Sequence, residues 1–367
     1  MTGACELAPS YVRAIAPYQA GKPISELARE MGLDERTIVK LASNENPLGC
    51  SPLARQAVER EMAEVARYPD SNGFALKAAI AKHCSVAQEQ IVLGSGSNDV
   101  LEMVAKAMLY PGCSSVYSQY AFIVYPLAVQ AMGATPIAVP AKNFGHDLDA
   151  MVAAVRKDTR VLWIANPNNP TGTFVQADVL KRAIARVPAS VIVVVDEAYN
   201  EYLSDGLRVN TAAWLKEFPN LVITRTLSKA YGLAGLRVGY ALMHTDVAGI
   251  LNRVRQPFNV SSLAQAAAVA GLADQDFVRR SAAANAHGVI QITQGLAQLG
   301  LDYIPSHGNF VTVKVGAAGE VYQRLLRQGV IVRPVAGYGM PEYLRVSIGL
   351  PEENERFLSA LATSIHA

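Results

Sequence analysis

The sequence predicts an α/β fold: a mainly parallel sheet flanked by helices, with a smaller α+β domain beside it. Three observations predict this. From about residue 50 onward, short apolar runs alternate with helical patterns, as βα units do. Three of the runs, 161–165, 191–195 and 221–226, are largely apolar, the pattern of strands covered on both faces. After about residue 255 the texture changes to longer alanine-rich helical stretches with two β-like runs, 309–315 and 343–349.

Taken in order, Ser51-Pro52 reads as a helix N-cap and first turn, with Leu53, Ala57, Val58, Met62 and Val65 along one face. Residues 91–99, IVLGSGSND, join a strand to a helix that begins near Asn98 and sets Leu101, Val104, Ala105 and Met108 on one side. Strands are expected at 115–118, 161–165, 191–195, 221–226 and 238–242. The division expected is a large domain over 50–255, with 1–49 and 256–367 forming the small domain and an N-terminal arm.

Bulk composition narrows the function. At 51% hydrophobic and 17% charged, with net charge +2, the chain is an ordinary globular sequence without a basic run for nucleic acid or a membrane surface. The first twenty residues lack a signal-peptide pattern, and no apolar stretch is long enough to span a bilayer. Cys5, Cys50, Cys84 and Cys113 are scattered without CxxC spacing, and the histidines, His366 among them, form no HxxxH pair. No metal site and a cytoplasmic location are therefore expected.

Chemistry is concentrated after the strands. VLWIANPNNPTG ends in Asn169-Pro170-Thr171-Gly172, VIVVVDEAY in Asp196, Glu197 and Tyr199, and LVITRTLSK in Thr226, Ser228 and Lys229. In a parallel sheet these polar groups gather at one edge, where open α/β folds bind ligands. The strand–helix turn around Gly94 and Gly96, with Ser97 and Asn98, can cradle an anion on backbone N–H groups. It fails as a dinucleotide fingerprint because Asp99 stands at the third glycine position. A lysine, a buried aspartate, a phenol and a one-phosphate site together suit pyridoxal 5'-phosphate. Lys229 would form the imine, a carboxylate would keep the ring nitrogen protonated, and Ser228 and Arg237 would hold the phosphate.

With these residues in view, the chain resembles the fold-type I pyridoxal-phosphate aminotransferases, and within them the histidinol-phosphate aminotransferase group. APYQAGKP (16–23), LASNENPLG (41–49), RYPD (67–70), GSGSND, NPNNPTG, DEAY, TLSKAYGLAGLRVGY and LRVSIG all occur in the family's order. The resemblance implies that Lys229 carries the cofactor as an aldimine and shuttles the proton between substrate and cofactor. It implies that Asp196 pairs with the pyridinium nitrogen, and that Tyr199 and Asn169 hold the phenolic oxygen. Ser97, Asn98, Thr226, Ser228 and Arg237 would surround the phosphate. Phe122, in YAFIVY, would stack on the ring, with Tyr120-Ala121 standing where the family usually has Pro-Thr.

The resemblance also implies that Tyr68 reaches the phosphate of a neighbouring subunit's cofactor, hence a homodimer with shared sites. Arg345 would bind the substrate's anion, helped by Arg333 and Tyr18. The reaction implied is a ping-pong exchange between glutamate and an amino-alcohol phosphate in histidine biosynthesis, with no nucleic acid or membrane partner. An aromatic amino-acid aminotransferase of the same subgroup is the alternative, and a decarboxylase on the same scaffold ranks third. A cofactor-binding regulator is disfavoured because no basic helix-turn-helix precedes residue 50.

Overall fold

A computed structural model describes residues 3–19 and 21–365; Ala20 of the APYQAGKP segment and His366 lie outside the described residues. The first strand, β1 (Val39–Lys40), is short and belongs with the C-terminal part of the chain. The main sheet comprises β2 (Ile91–Gly94), β3 (Ser114–Ser118), β4 (Thr135–Val139), β5 (Thr159–Ala165), β6 (Ile192–Asp196), β7 (Leu221–Thr226) and β8 (Gly239–Met243). Across the sheet their order is β2-β8-β7-β6-β5-β3-β4. The strands from β3 to β7 pair in parallel. β8 runs antiparallel to both its neighbours, β7 and β2.

Period-two alternation splits each central strand between two cores. Leu162, Ile164, Val193, Val195, Leu221 and Ile223 face one side, where the helices Phe74–Cys84, Ala177–Ile184 and Ser262–Ala273 cover them. Val161, Trp163, Ile192, Val194 and Val222 face the other, under Ser97–Met108 and Val124–Ala131. Removing a side chain of this size from water contributes about 1.5–3 kcal/mol each, which is why the strands read as unbroken apolar runs. Trp163 is the largest of them, and its indole N–H donates to Ser115 Oγ at 2.7 Å.

The C-terminal part holds β9 (Tyr303–Ile304), β10 (Phe310–Lys314), β11 (Val330–Ile331), β12 (Arg333–Pro334) and β13 (Tyr343–Ser347). Four of these form an antiparallel sheet of order β12-β13-β10-β9. β11 pairs in parallel with β1. Val311, Val313, Leu344 and Val346 pack there against the long helices Gln275–Gln298 and Pro351–Ile365. Helix Ser262–Ala273, beyond residue 255, lies on the main sheet's side: its Ala264, Ala267 and Ala268 join that core.

One expected face holds only in part, with Ala57 buried and Val58 partly so. In helix Pro52–Glu61, capped by Ser51 Oγ accepting from the Leu53 and Ala54 N–H groups, it is Ala54 and Ala57 that are buried. Leu53 is exposed, as are Met62 and Val65 in the turns that follow. The close approach of helix Ser262–Ala273, with its alanine face, selects small residues, so the buried side runs through Ala54 and Ala57 and leaves Leu53 out.

Candidate active site

The parallel register brings the polar strand ends together. Ala165 of β5 sits beside Asp196 of β6, and Asp196 beside Thr224 of β7. Asp196 is buried and accepts from Thr224 Oγ1 and from the Tyr125 hydroxyl, each at 2.9 Å. Burial pushes its carboxyl above the usual range, and these two donors pull against that shift.

Lys229 follows β7 and reaches the same cleft, where its Nζ donates to the Ser43 carbonyl oxygen at 3.1 Å. Desolvation, followed by the nearby Arg345 guanidinium, lowers its pKa to about 8. Tyr199 is buried, and its phenol oxygen accepts from Asn44 Nδ2 at 2.9 Å and Asn169 Nδ2 at 3.2 Å. Burial takes that phenol up to about 12, so it is protonated and keeps its own hydrogen to donate.

At the far end of the cleft lies a cradle for an anion. The helix Ser97–Met108 starts there, with Ser97 and Asn98 in the lining. Asp99 turns away: its Oδ2 accepts from the Ser95 N–H at 2.9 Å and from Asn259 Nδ2 at 2.7 Å. Thr226 Oγ1 donates to Ser228 Oγ at 3.0 Å. Arg237, held at a left-handed φ of +55°, turns its guanidinium toward Ser228 Oγ at 3.5 Å. Among the described residues it has no carboxylate partner. Gly96, at φ +79°, makes room for it: a Cβ there would lie 2.6 Å from Arg237 Nη2.

The opposite wall carries Tyr18, Arg333, Tyr338 and Arg345. Arg345 is buried on β13, donating from Nη1 to Asn169 Oδ1 at 2.7 Å and from Nη2 to the Ala42 carbonyl at 2.8 Å, while its buried Nε has no partner among the described residues. The Arg333 guanidinium lies 5.3 Å over the Tyr18 ring. Phe122 lines the cleft and meets Tyr125 edge to face, with ring centroids 5.8 Å apart.

Every side chain expected at the site therefore lines this one cleft except Tyr68. Tyr68 is 83% exposed and stacks on Phe258 at 4.7 Å, away from the cleft of its own chain. Asn44, Thr224, Tyr125 and Tyr338 were not singled out. Asn44 lies in LASNENPLG and Tyr125 in YAFIVY, so both stood inside segments already noted, and Asn44 adopts the left-handed φ of +53° that asparagine tolerates. For Thr224 the signal is its strand position, two residues before Thr226 and level with Asp196.

Fold and cleft together define a transferase of fold-type I. A family model, "Aminotransferase class I and II", matches residues 36–361, and the chain belongs to that family. It is 59% identical to histidinol-phosphate aminotransferase 2 of Nitrosospira multiformis, over 98% of this chain and 92% of that protein. It is 60% identical to histidinol-phosphate aminotransferase of Methylobacillus flagellatus, over 98% of each. Among solved structures it matches histidinol-phosphate aminotransferase from Sinorhizobium meliloti in complex with pyridoxal-5'-phosphate. That match has a TM-score of 0.90 and 27% identity over 97% of each chain.

Proposed function

We propose that the chain is a pyridoxal-phosphate-dependent transaminase. It interconverts histidinol phosphate plus 2-oxoglutarate and imidazole acetol phosphate plus glutamate, a step of histidine biosynthesis. The observation that carries this reading is the identity with histidinol-phosphate aminotransferases along nearly the whole chain. The cleft supports the chemistry.

The residues fit the cofactor. A buried acid, an amine and a protonated phenol line the cleft together with the helix start at Ser97, the Gly96 turn and Arg237, which has no carboxylate partner among the described residues. When bound, pyridoxal phosphate supplies an aldehyde for an amine and a ring that accepts carbanion electrons. Asp196 holds a proton at the ring nitrogen, with Tyr125 and Thr224 keeping its carboxylate in place. Tyr199 donates its hydroxyl hydrogen to the ring's oxygen while Asn44 and Asn169 occupy its lone pairs. Ser97, Asn98, Thr226, Ser228 and Arg237 would hold the phosphate, and Phe122, which lines the same cleft, would offer its ring to the pyridine.

Lys229, with its pKa down at about 8, has a usable neutral amine near neutral pH and moves a proton to and from the substrate's α-carbon. Arg345 binds the substrate's anion, and Arg333 and Tyr18 assist it. The donor half-reaction uses glutamate, and the acceptor half-reaction uses imidazole acetol phosphate. The test is kcat/KM for imidazole acetol phosphate against phenylpyruvate as acceptor. The first is expected to be much the better; a preference for phenylpyruvate overturns the assignment in favour of an aromatic aminotransferase.

We further propose a homodimer in which Tyr68 reaches the partner's cofactor phosphate. The exposed Leu48, Leu53, Met62, Val65, Phe74 and Phe258, on the segments flanking Tyr68 and beside it, support this reading, since such apolar surface is costly in water. The division near residue 255 is likewise a proposal, with helix Ser262–Ala273 going to the large domain. The cytoplasm is the proposed location, supported by Cys50, Cys84 and Cys113 standing as thiols. Among the described residues no helix is long and apolar enough to cross a membrane.

A further inference from the structure

Tyr338 lines the cleft beside Tyr18, Arg333 and Arg345, yet nothing so far gives it a task. It ends the short 3-10 turn Ala336–Tyr338 between β12 and β13. Ala336, Gly337 and Gly339 of this segment are exposed, whereas Tyr338 is half-buried with its side chain turned inward. The turn is closed by the Tyr338 N–H donating to the Val335 carbonyl and the Gly339 N–H donating to the Ala336 carbonyl, both at 2.9 Å. Gly339, at φ +77°, then redirects the chain toward β13. The ring packs against the buried Val335, Met340 and Ile304.

Four groups lie near the phenol. They are the Ile123 backbone amide, from the loop that carries Phe122, the Arg345 and Arg333 guanidinium groups and the Tyr18 phenol. These neighbours are mainly N–H donors, so the hydroxyl hydrogen is left for an acceptor in the cleft that Tyr338 lines. Burial raises the phenol's pKa, so that hydrogen is retained at neutral pH.

The two substrates of the proposed reaction differ at this wall. In glutamate the α-carboxylate carbon is bonded directly to the reacting carbon. In an amino-alcohol phosphate a methylene and an ester oxygen intervene, so the phosphorus sits further out and brings three terminal oxygens. Arg345 spends one N–H on Asn169 and one on the Ala42 carbonyl, so part of its fork is committed to the protein, and the extra phosphate oxygens offer acceptors to other donors of the same wall.

Resting on the functional reading above, we propose that Tyr338 is a specificity-determining residue. Its hydroxyl donates to the phosphate of the amino-alcohol phosphate, and the shorter α-carboxylate of glutamate does not reach it. The experiment compares wild-type and Tyr338→Phe holoenzymes in the two half-reactions, each followed in single turnovers through the cofactor's visible band. Cofactor content and melting temperature are measured alongside.

The efficiency ratio of histidinol phosphate to glutamate should fall about 10-fold or more in the variant, mainly through weaker binding, because a hydrogen bond to a charged group is lost. An unchanged ratio, with both half-reactions slowed alike or neither slowed, overturns the proposal. A wild-type enzyme that turns over glutamate but not histidinol phosphate overturns the functional reading, and this inference with it. Competitive inhibition by inorganic phosphate gives a second measurement: its inhibition constant should rise in Tyr338→Phe, and an unchanged constant counts against the hydrogen bond.

Discussion

The Tyr125 hydroxyl donates to Asp196 Oδ2 at 2.9 Å, from helix Val124–Ala131, which packs on the sheet face that carries Ile192 and Val194. Tyr125 also stacks on the buried Trp163, with ring centroids 5.1 Å apart, so the donor is anchored by the core itself. Tyr125→Phe keeps the packing and deletes one hydrogen bond to a buried carboxylate. A loss of about 1.5–3 kcal/mol is expected for a bond to a charged group. Cofactor affinity should fall by at least about 10-fold, measured by titrating the apoenzyme. Unchanged affinity would mean that Thr224 alone holds the acid.

Lys229 should show its depressed pKa directly. As pH rises through about 8 its amine becomes neutral, so the rate of cofactor loading onto the apoenzyme should climb through that range and then level. The stability sign follows the same shift. Between about 8 and the ordinary lysine value of 10.5 the unfolded chain binds more protons at this site, so its contribution to stability improves as pH rises. Lys229→Ala should still bind the cofactor noncovalently, transaminate nothing, and lose that part of the melting-temperature profile.

Glu201 offers a pH effect away from the chemistry. It is buried, and desolvation lifts its carboxyl to about 7 despite the nearby Arg225. The folded chain therefore holds this proton between the ordinary 4.5 and about 7, and the stability that Glu201 contributes falls as pH rises across that window. Glu201→Gln should flatten this part of the profile and raise the melting temperature above pH 7. A variant less stable than wild type at pH 8 would contradict the sign.

Gly96→Ala tests the cradle. The new methyl would sit 2.6 Å from Arg237 Nη2, on a backbone at φ +79° that side chains rarely adopt. Cofactor affinity should drop by about 10-fold or more while the secondary structure is kept. Gly235→Ala, which meets no atom within 4 Å, serves as the control.

The dimer is tested at Tyr68. Tyr68→Phe should weaken cofactor binding while the particle mass by light scattering stays that of two chains, because only a hydroxyl is removed from the apolar surface proposed as the contact. Val65→Asp on the same face should shift the mass toward one chain; a wild-type protein measured as a monomer would remove the shared site.

Most main-sheet strand positions were legible to within a residue or two, because a strand buried on both faces is largely apolar, as in Val191–Val195. β4 was not, since it is an edge strand whose Thr135-Pro136-Ile137-Ala138 is partly exposed and carries a proline. The direction of β8 and the buried face of helix Pro52–Glu61 were also hidden, because both depend on which neighbour packs there.

By itself the sequence determined which groups this protein has for chemistry: a lysine, an acid, a phenol and a phosphate cradle stand next to strand ends in chain order, and local patterns report that order. Tertiary structure alone decided how those groups are tuned. Asn44, Tyr125, Tyr338 and the Arg345–Asn169 bond join segments from 44 to 345, and the burial that lowers Lys229 and raises Tyr199 exists only once those segments close over the cleft. Hydrogen bonds and desolvation act through space, so spacing along the chain carries no record of them.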